Sequence, residues 1–186
     1  MITDIYNTTK KYKTIYVDPP WPERGGGKIK RGADNHYELM SVAEIGQLPI
    51  GELADKDGCH LYLWTTNNYL PSAIKLLDAW GFDYITTITW QKDRFGLGQY
   101  FRGITEHCLF ASTKKRLPYK TIDGKRAQGV TGFWEAKTIH SRKPQTMREM
   151  IERVSYAPRI ELFAREHFEG WDCWGWGVLE STKLSM

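Results

Sequence analysis

Cysteine is scarce in this sequence, and long apolar stretches are missing. The three cysteines, Cys59, Cys108 and Cys173, lie far apart and form no CxxC pair, which argues against a disulfide framework and against a zinc knuckle. No apolar run approaches the roughly 20 residues that cross a bilayer, and the start, MITDIYNTTKK, has no signal-peptide core. We therefore expect a soluble, cytoplasmic protein with no membrane partner.

The composition is typical of one folded domain. The chain has 186 residues, which suits a single domain over residues 1–186 and is too short for two ordinary domains with a linker. Hydrophobic residues make up 41% and charged residues 26%, which excludes a disordered chain. Aromatic residues reach 13%, more than a core usually needs, so some of them can supply stacking surfaces.

Glycine motifs that bind phosphate are also absent. Three glycines precede Lys28 in the segment Glu23–Gly32, but they lack the GxxxxGK[ST] spacing of a P-loop. A second cluster at Gly96–Gly103, GLGQYFRG, is typical of a mobile loop rather than of a dinucleotide-binding turn. We therefore predict no nucleoside triphosphate site.

Positive charge is concentrated in two segments. The formal net charge is +4, yet residues 114–143 hold nine basic residues against two acids. The segment Glu23–Gly32 places four more basic side chains around its glycines. Basic segments are most often solvated loops, but flexible cationic loops also bind the phosphate backbone of nucleic acid. We expect both segments to contact nucleic acid, with Lys28, Lys30 and Arg142 among the contacts.

The apolar pattern predicts alternating strands and helices. One short helix is capped by Ser41, a second begins at Pro71 and ends before Gly81, and a third follows Pro144. The predicted strands are Thr14–Val17, His60–Trp64, Tyr84–Trp90, His107–Ala111 and Arg159–Ala164. This alternation indicates an α/β fold whose sheet is covered by helices on both faces.

The string Asp18-Pro19-Pro20-Trp21 follows the first predicted strand, where ligands bind in open α/β sheets. An Asp-Pro turn alone is an ordinary strand terminator. The whole string, however, suits chemistry on the exocyclic amine of a base, which is a poor nucleophile until acceptors hold its two N–H groups. The Asp18 carboxylate can accept one hydrogen, and the Pro19 carbonyl, with no competing amide expected nearby, can accept the other. Trp21 offers a face on which the base can stack.

This string at a strand end resembles the motif of the permuted adenine N(6)-methyltransferases. That family includes the catalytic subunit of the eukaryotic mRNA adenine methyltransferase and small bacterial and phage DNA-modifying enzymes. Further strings of the family recur in order along nearly the whole chain: HYELMS, LYLWTTN, WGF, EHCL, SRKP, ELFAR and GWD. The resemblance implies a single Rossmann-like, S-adenosylmethionine-dependent methyltransferase domain with a mixed sheet and permuted order, acting in a bacterial or phage-infected host cell.

The resemblance also implies roles for single residues around the donor. Asp18 would face both the target amine and the ammonium group of S-adenosylmethionine, and Lys143 would hold the donor's carboxylate. The other donor-site residues it implies are Arg165 and His167, near the ribose and amino-acid portions, and Glu161 and Phe163, at the strand end. Lys143 and Arg165 can equally be surface ion pairs.

Positions around the target adenosine are implied in the same way. Tyr37, Trp64 and Glu106 resemble them, although Trp64 can equally be a core residue. The chain departs from its relatives at one place, since Trp176 follows Gly175 where relatives have Gly-Asn. The lost amide would contact the donor, so we expect this departure to act on donor affinity.

Three functions stay open at this point. The leading one is a DNA adenine methyltransferase, because the chain is small and lacks the domains appended to RNA-modifying relatives. The second is the same reaction on RNA, and the third is an inactive partner that only binds nucleic acid, against which the intact Asp18 argues. No metal is expected, because the adjacent His and Cys residues lie on predicted strands and point to opposite faces. Because little of the chain lies outside the core, we expect sequence specificity to require a homodimer or a heterodimer.

Overall fold

The computed structural model describes residues 1–22, 39–96, 100–137 and 142–175. Seven strands in these ranges form one sheet in the order β7-β3-β4-β2-β1-β8-β9, and β5 pairs with β6 in a separate hairpin. The strands are β1 (Thr14–Val17), β2 (His60–Thr65), β3 (Phe82–Gln91), β4 (Thr105–Thr113), β5 (Thr121–Ile122), β6 (Lys125–Arg126), β7 (Gly132–Trp134), β8 (Arg159–Leu162) and β9 (Trp171–Trp174). The helices are α1 (Val42–Gly46), α2 (Ile50–Leu53), α3 (Leu70–Ala79) and α4 (Gln145–Val154), with a 3₁₀ turn at Asn67–Tyr69.

The sheet is mixed, as expected from the sequence. β1 runs parallel to β2 on one side and to β8 on the other, and Val17 lies opposite Leu63 and Leu162. β4 is the antiparallel member, paired with both β2 and β3. The last residues of β1, β2, β3 and β8 and the first residues of β4 therefore meet at one edge of the sheet, which we call the carboxyl edge.

Helices cover both faces of the sheet. Helices α1, α2 and α3 pack on one face through Ile45, Ile50 and Leu77, which join the apolar cluster of Ile15 and Leu61. Helix α4 packs on the other face, where Met147 and Ile151 contact a cluster rich in aromatic rings: Tyr16, Tyr62, Trp64, Trp90 and Trp171. Successive residues of β1 thus enter different cores, because side chains alternate along a strand.

The local sequence signals explain several of these elements. Ser41 caps α1 through a capping box with Glu44, and Gly81 follows α3 with a φ of +81°, so both predicted ends are confirmed. All five predicted strands are present, but β7, β9, α2 and the β5–β6 hairpin were not predicted. These five elements are short, between two and four residues each, so each offers few residues in which a pattern can be recognised. In the described ranges no helix has the length and apolar character that a membrane span requires.

Candidate active site

The carboxyl end of β1 is a topological switch point of the sheet, because the connections to its two neighbouring strands cross opposite faces. The chain goes from β1 to β2 by way of α1 and α2 on one face of the sheet, whereas it enters β8, on the other side of β1, from β7 by way of α4 on the other face. Where the connections to the two neighbours of a strand cross opposite faces, a crevice opens beyond the end of that strand, and ligands bind there in α/β proteins. Asp18 stands at this crevice, directly after Val17.

Side-chain alternation gathers further polar groups on the same face as Asp18. Tyr16 lies opposite Glu161, and both belong to the face that α4 covers. Glu106, two residues before Cys108 on β4, also points to that face. Because Lys143 immediately precedes α4, the chain brings its side chain to the same place.

Four charged side chains, alternating in sign, form a row of ion pairs at this point. The Lys143 Nζ lies 2.7 Å from the Asp18 Oδ1 and 3.5 Å from the Glu106 Oε2. The Lys92 Nζ lies 3.0 Å from the Glu106 Oε1. All four side chains are between 13% and 19% exposed, so the site is sheltered but open to a ligand. The Lys143 ammonium also lies 5.3 Å from the centre of the Trp64 ring, within cation–π range.

The alternation of charge keeps Lys143 and Glu106 ionised. Burial alone would lower the pKa of Lys143, but the carboxylates of Asp18 and Glu106 outweigh burial and raise it. Burial alone would raise the pKa of Glu106, but Lys143 and Lys92 outweigh burial and lower it. At neutral pH the site therefore presents a charged ammonium between two carboxylate side chains.

The proline carbonyls after Asp18 are not as free as the sequence suggested. The Trp21 amide donates a hydrogen bond of 2.9 Å to the Pro19 carbonyl, and the Met40 amide donates one of 3.0 Å to the Pro20 carbonyl. The expectation that the Pro19 carbonyl has no competing amide is therefore wrong, because the chain turns tightly enough to bring the amide two residues on back to it. Each carbonyl keeps a second lone pair, so Pro19 stays a possible acceptor.

Both predicted tryptophans lie in the core beneath the site. Trp21 is 6% exposed; its indole N–H donates to the Trp64 carbonyl at 2.9 Å, and its ring stacks on Tyr69 with centres 5.2 Å apart. Trp64 is 1% exposed and donates its indole N–H to the Tyr16 hydroxyl at 2.6 Å. The structure thus corrects the expectation that Trp21 offers an open stacking face, since a buried indole N–H needs an acceptor and that bond holds the ring inside. The core alternative for Trp64 is the one observed.

The end of β8 holds three of the predicted donor-site residues. Glu161 accepts a hydrogen bond of 2.6 Å from Arg148, and burial raises its pKa against the effect of that arginine. Phe163 has a φ of +62° and packs edge-to-face against Trp174 with ring centres 5.2 Å apart. A non-glycine residue in this conformation costs on the order of 1–3 kcal/mol, and such residues cluster at ligand sites. Arg165 lies close enough to oppose the raised pKa of Lys143.

Two predicted residues form other contacts and do not join the charged groups of the site. His167 contacts the Met1 amino group at 2.8 Å, and that amino group also bonds the Trp171 carbonyl at the start of β9, far from the carboxyl edge. Arg142 forms an exposed ion pair of 2.7 Å with Glu166. The other predicted residues, Tyr37, Lys28, Lys30 and Trp176, lie outside the described residues.

The basic segment 114–143 is divided between the two edges of the sheet. Lys137 lies near Glu106 and Lys143 at the carboxyl edge, since the charges of all three affect one another. Lys115 and Arg116 instead follow the end of β4 at the opposite edge, where they pair with Asp57 and Asp83. The first part of the segment therefore does not lie beside the site, because β4 ends at the other edge, and the contact of the segment with nucleic acid stays a prediction.

The sequence analysis missed two residues of the site. Lys92 directly follows the last residue of β3, and this strand-end position was a signal for it. Glu135 accepts hydrogen bonds from the Gln145 and Thr146 amides, at 3.1 and 3.2 Å. It thereby caps α4, whose N-cap residue Pro144 has no side-chain acceptor. No local pattern indicates this contact, which joins separate parts of the chain.

Comparison with protein families identifies the group to which this site belongs. The MT-A70 family model matches residues 12–177. The chain belongs to the MT-A70 family. This confirms the methyltransferase class that the resemblance implied, and MT-A70 methyltransferases use S-adenosylmethionine.

Individual relatives differ in how much of their length this MT-A70 chain covers. The Type II methyltransferase M.MunI of Mycoplasma sp is 32% identical over 188 residues, which cover 89% of this chain and 77% of the relative. The N(6)-adenine-specific methyltransferase METTL4 of Homo sapiens is 26% identical over 95% of this chain and 39% of its own length. The N(6)-adenosine-methyltransferase catalytic subunit METTL3 of Homo sapiens is 31% identical over 84% of this chain and 26% of its own length. The chain thus spans less than half of these two human relatives.

The charged groups at the carboxyl edge fit S-adenosylmethionine. The amino-acid part of that donor has one ammonium and one carboxylate group, which need a carboxylate and a cation from the protein. Asp18 and Lys143 supply this pair of charges, and they lie within 2.7 Å of each other. When the donor binds, its carboxylate can pair with Lys143 and its ammonium group with Asp18. The two new pairs replace the pair between Asp18 and Lys143, so neither side chain is left buried and unpaired.

Proposed function

We propose that this protein transfers a methyl group from S-adenosylmethionine to the exocyclic amine of adenine in DNA. The observation that supports this most is the Asp18–Lys143 pair at the carboxyl end of β1, in an MT-A70 chain in which Asp18 opens the DPPW string. DNA is favoured over RNA because this chain covers 77% of M.MunI, a Type II methyltransferase, but only 51% of the Pyricularia oryzae relative that is named as an RNA methyltransferase.

The residues divide the work of holding the donor. Lys143 binds the donor carboxylate, and Asp18 binds the ammonium group with one of its two oxygens. Glu106 stays beside Lys143 at 3.5 Å and keeps it charged and in place while the other contact is exchanged. When bound, S-adenosylmethionine would supply an electrophilic methyl group on a sulfonium, and the bond to sulfur would break as the amine takes the methyl group, leaving a neutral thioether.

Asp18 and Pro19 orient the target amine. The second oxygen of Asp18 accepts one amine hydrogen, and the remaining lone pair of the Pro19 carbonyl accepts the other. Two acceptors favour a pyramidal nitrogen whose lone pair points at the methyl carbon, so positioning makes the main contribution to the rate. The surplus proton leaves afterwards, to the Asp18 carboxylate or to water.

A paired adenine cannot reach this site while it remains stacked. The charged groups lie at the bottom of a sheltered edge with side chains at most 19% exposed. The base must therefore be flipped out of a duplex or be unpaired already. We further propose that the protein acts in the cytoplasm and that a second copy or another subunit contributes to sequence recognition.

A labelling experiment tests the proposal. The protein is incubated with S-adenosylmethionine labelled in the methyl group and with DNA or RNA, and each polymer is digested to nucleosides. Label in N(6)-methyladenine from DNA supports the proposal. Label from RNA alone would show that RNA is the substrate, as the names of the relatives called RNA methyltransferases would lead one to expect. No label from either polymer would support the inactive, nucleic-acid-binding alternative.

A further inference from the structure

The loop between β3 and β4 extends beyond the carboxyl edge. After β3 ends at Gln91, the Lys92 amide still bonds the Ile104 carbonyl at 2.8 Å, and the Gly96 amide bonds the Gly103 carbonyl at 2.6 Å. The two arms of the loop are thus tied together past the end of the sheet. Its root is at the active site, because Lys92 also holds Glu106.

The described part of this loop exposes three aromatic rings. Phe95 is 66% exposed, and Tyr100 and Phe101 are each 92% exposed. Burial of an aromatic ring is worth a few kcal/mol, so folding alone gives no reason to leave three rings in water on one loop. Adjacent exposed apolar groups of this kind mark interaction surfaces.

Two arginines accompany the rings. Arg94 has a side chain that is 78% exposed, and the Arg102 guanidinium lies 5.2 Å from the centre of the Phe95 ring. The one described acid of the loop, Asp93, accepts hydrogen bonds from the Lys137 amide and from Arg94. The exposed part of the loop is therefore aromatic and cationic, a combination that complements the faces of bases and the charge of phosphates.

We propose that Phe95, Tyr100 and Phe101 stack on unstacked bases beside the target adenine, while Arg94 and Arg102 contact the flanking phosphates. This rests on the proposed function, because it assumes that a nucleic acid strand enters the carboxyl edge. Removing an adenine from a stack exposes the faces of its neighbours, and rings on a loop rooted at the site can cover them. The surface thus supplies stacking next to the site that the buried Trp21 cannot supply.

The test compares two sets of exposed aromatic side chains. The double variant Tyr100→Ala, Phe101→Ala removes rings at the carboxyl edge. Tyr119→Ala is the matched control. Tyr119 is 71% exposed, and the Arg126 guanidinium lies 3.7 Å from the centre of its ring, so it too is an exposed ring beside an arginine. It lies at the opposite edge, however, because its neighbour Lys120 bonds the end of α4 there. Circular dichroism and calorimetry with S-adenosylmethionine verify that both variants fold and bind the donor.

Binding is measured by fluorescence anisotropy on a DNA duplex with one unpaired adenine, flanked by 2-aminopurine. We expect the double variant to bind at least roughly fivefold more weakly, because each stacked base contributes on the order of 1–3 kcal/mol. The dependence of its affinity on salt concentration should stay unchanged, whereas Arg94→Gln should reduce that slope. Wild-type protein should quench the 2-aminopurine fluorescence by stacking, the double variant should not, and Tyr119→Ala should behave like wild type.

The outcomes separate this inference from the proposed function. If wild-type protein methylates DNA and the double variant binds DNA as tightly as wild type, the inference is wrong and the function stands. If the double variant converts a dimer into a monomer without changing DNA affinity, the loop binds a second copy of the chain instead. If wild-type protein methylates neither DNA nor RNA, the proposed function fails and this inference fails with it.

Discussion

The two edges of the sheet differ in the charge of the side-chain networks that they shelter. At the carboxyl edge, Asp18, Lys143, Glu106 and Lys92 keep their charges in a sheltered chain of ion pairs. At the opposite edge, by contrast, one buried network is uncharged: the His60 ring and the Tyr62 hydroxyl both bond the Ser155 hydroxyl, at 2.8 and 2.7 Å.

The ion pairs described at the opposite edge each include a side chain that water reaches, as Lys10 does in its pair with the sheltered Asp172. The Lys115–Asp57 pair is short, at 2.6 Å, but its side chains are 64% and 58% exposed. Such pairs add little stability. Sheltered ion pairs are costly to desolvate, and a protein gains little from them unless their charges serve another purpose. The comparison therefore teaches that the carboxyl edge keeps its charges for a ligand, whereas the opposite edge closes the fold.

Asp18→Asn should produce the largest effect. The amide keeps the shape of the side chain but loses the charge that binds the donor ammonium and turns one acceptor into a donor. We expect methyl transfer to fall by at least roughly 100-fold while the fold is retained, as measured by label incorporation and circular dichroism. Asp57→Asn removes an equivalent charge at the opposite edge and should leave turnover unchanged. Wild-type turnover in Asp18→Asn would refute the proposed role.

Lys143→Gln should affect the donor more than the nucleic acid. Removing the ammonium leaves Asp18 and Glu106 without their shared cation, and a charged hydrogen bond to the donor carboxylate is lost. We expect the affinity for S-adenosylmethionine to fall roughly 10- to 100-fold, as measured by calorimetry. The pKa of Glu106 should rise, because Lys143 now lowers it. Lys115→Gln is the control, and a loss confined to DNA affinity would place Lys143 among the phosphate contacts instead.

The neutral network predicts a pH effect on stability, the smallest of the three. Burial, with a contribution from Arg116, lowers the pKa of His60 from 6.5 to about 4. Between these values the unfolded chain binds a proton that the folded protein does not, so stability falls as the pH drops from about 6.5 toward 4. The loss is about 2 kcal/mol, given the partial exposure of the ring.

His60→Gln should remove that part of the acid sensitivity. Glutamine can still bond Ser155 but takes up no proton, so the free energy of unfolding, measured in urea, should depend less on pH between 6.5 and 4 than in wild type. Parallel pH profiles for the two proteins would show that His60 does not titrate with a lowered pKa.

The sequence predicted the location of the site better than its internal contacts. Asp18 was predicted from its position after the first strand, whereas Glu106 and Glu161 were predicted from the family resemblance. The apolar pattern was sufficient to place Asp18 at a strand end, as it was to predict β1, β2 and α4.

The contacts that were not predicted depend on packing between distant segments. The capping of α4 by Glu135 joins residues that no local pattern connects. The burial of Trp21 depends on Tyr69 and on the Trp64 carbonyl, so the residue type alone could not show whether its face is open. Similarly, the charge of segment 114–143 could not show which part lies at which edge, because β4 and α4 decide that.

The pairing of β1 has a consequence for synthesis on the ribosome. Val17 lies opposite Leu63, made soon after it, and also opposite Leu162, made roughly 145 residues later. Until the later strand emerges, the apolar strand TIYV has one edge with unpaired backbone groups, which invites association with other nascent chains. We therefore expect the protein to depend on chaperones, or to complete the pairing of β1 with β8 slowly and late in translation. Truncated products that end before β8 should aggregate.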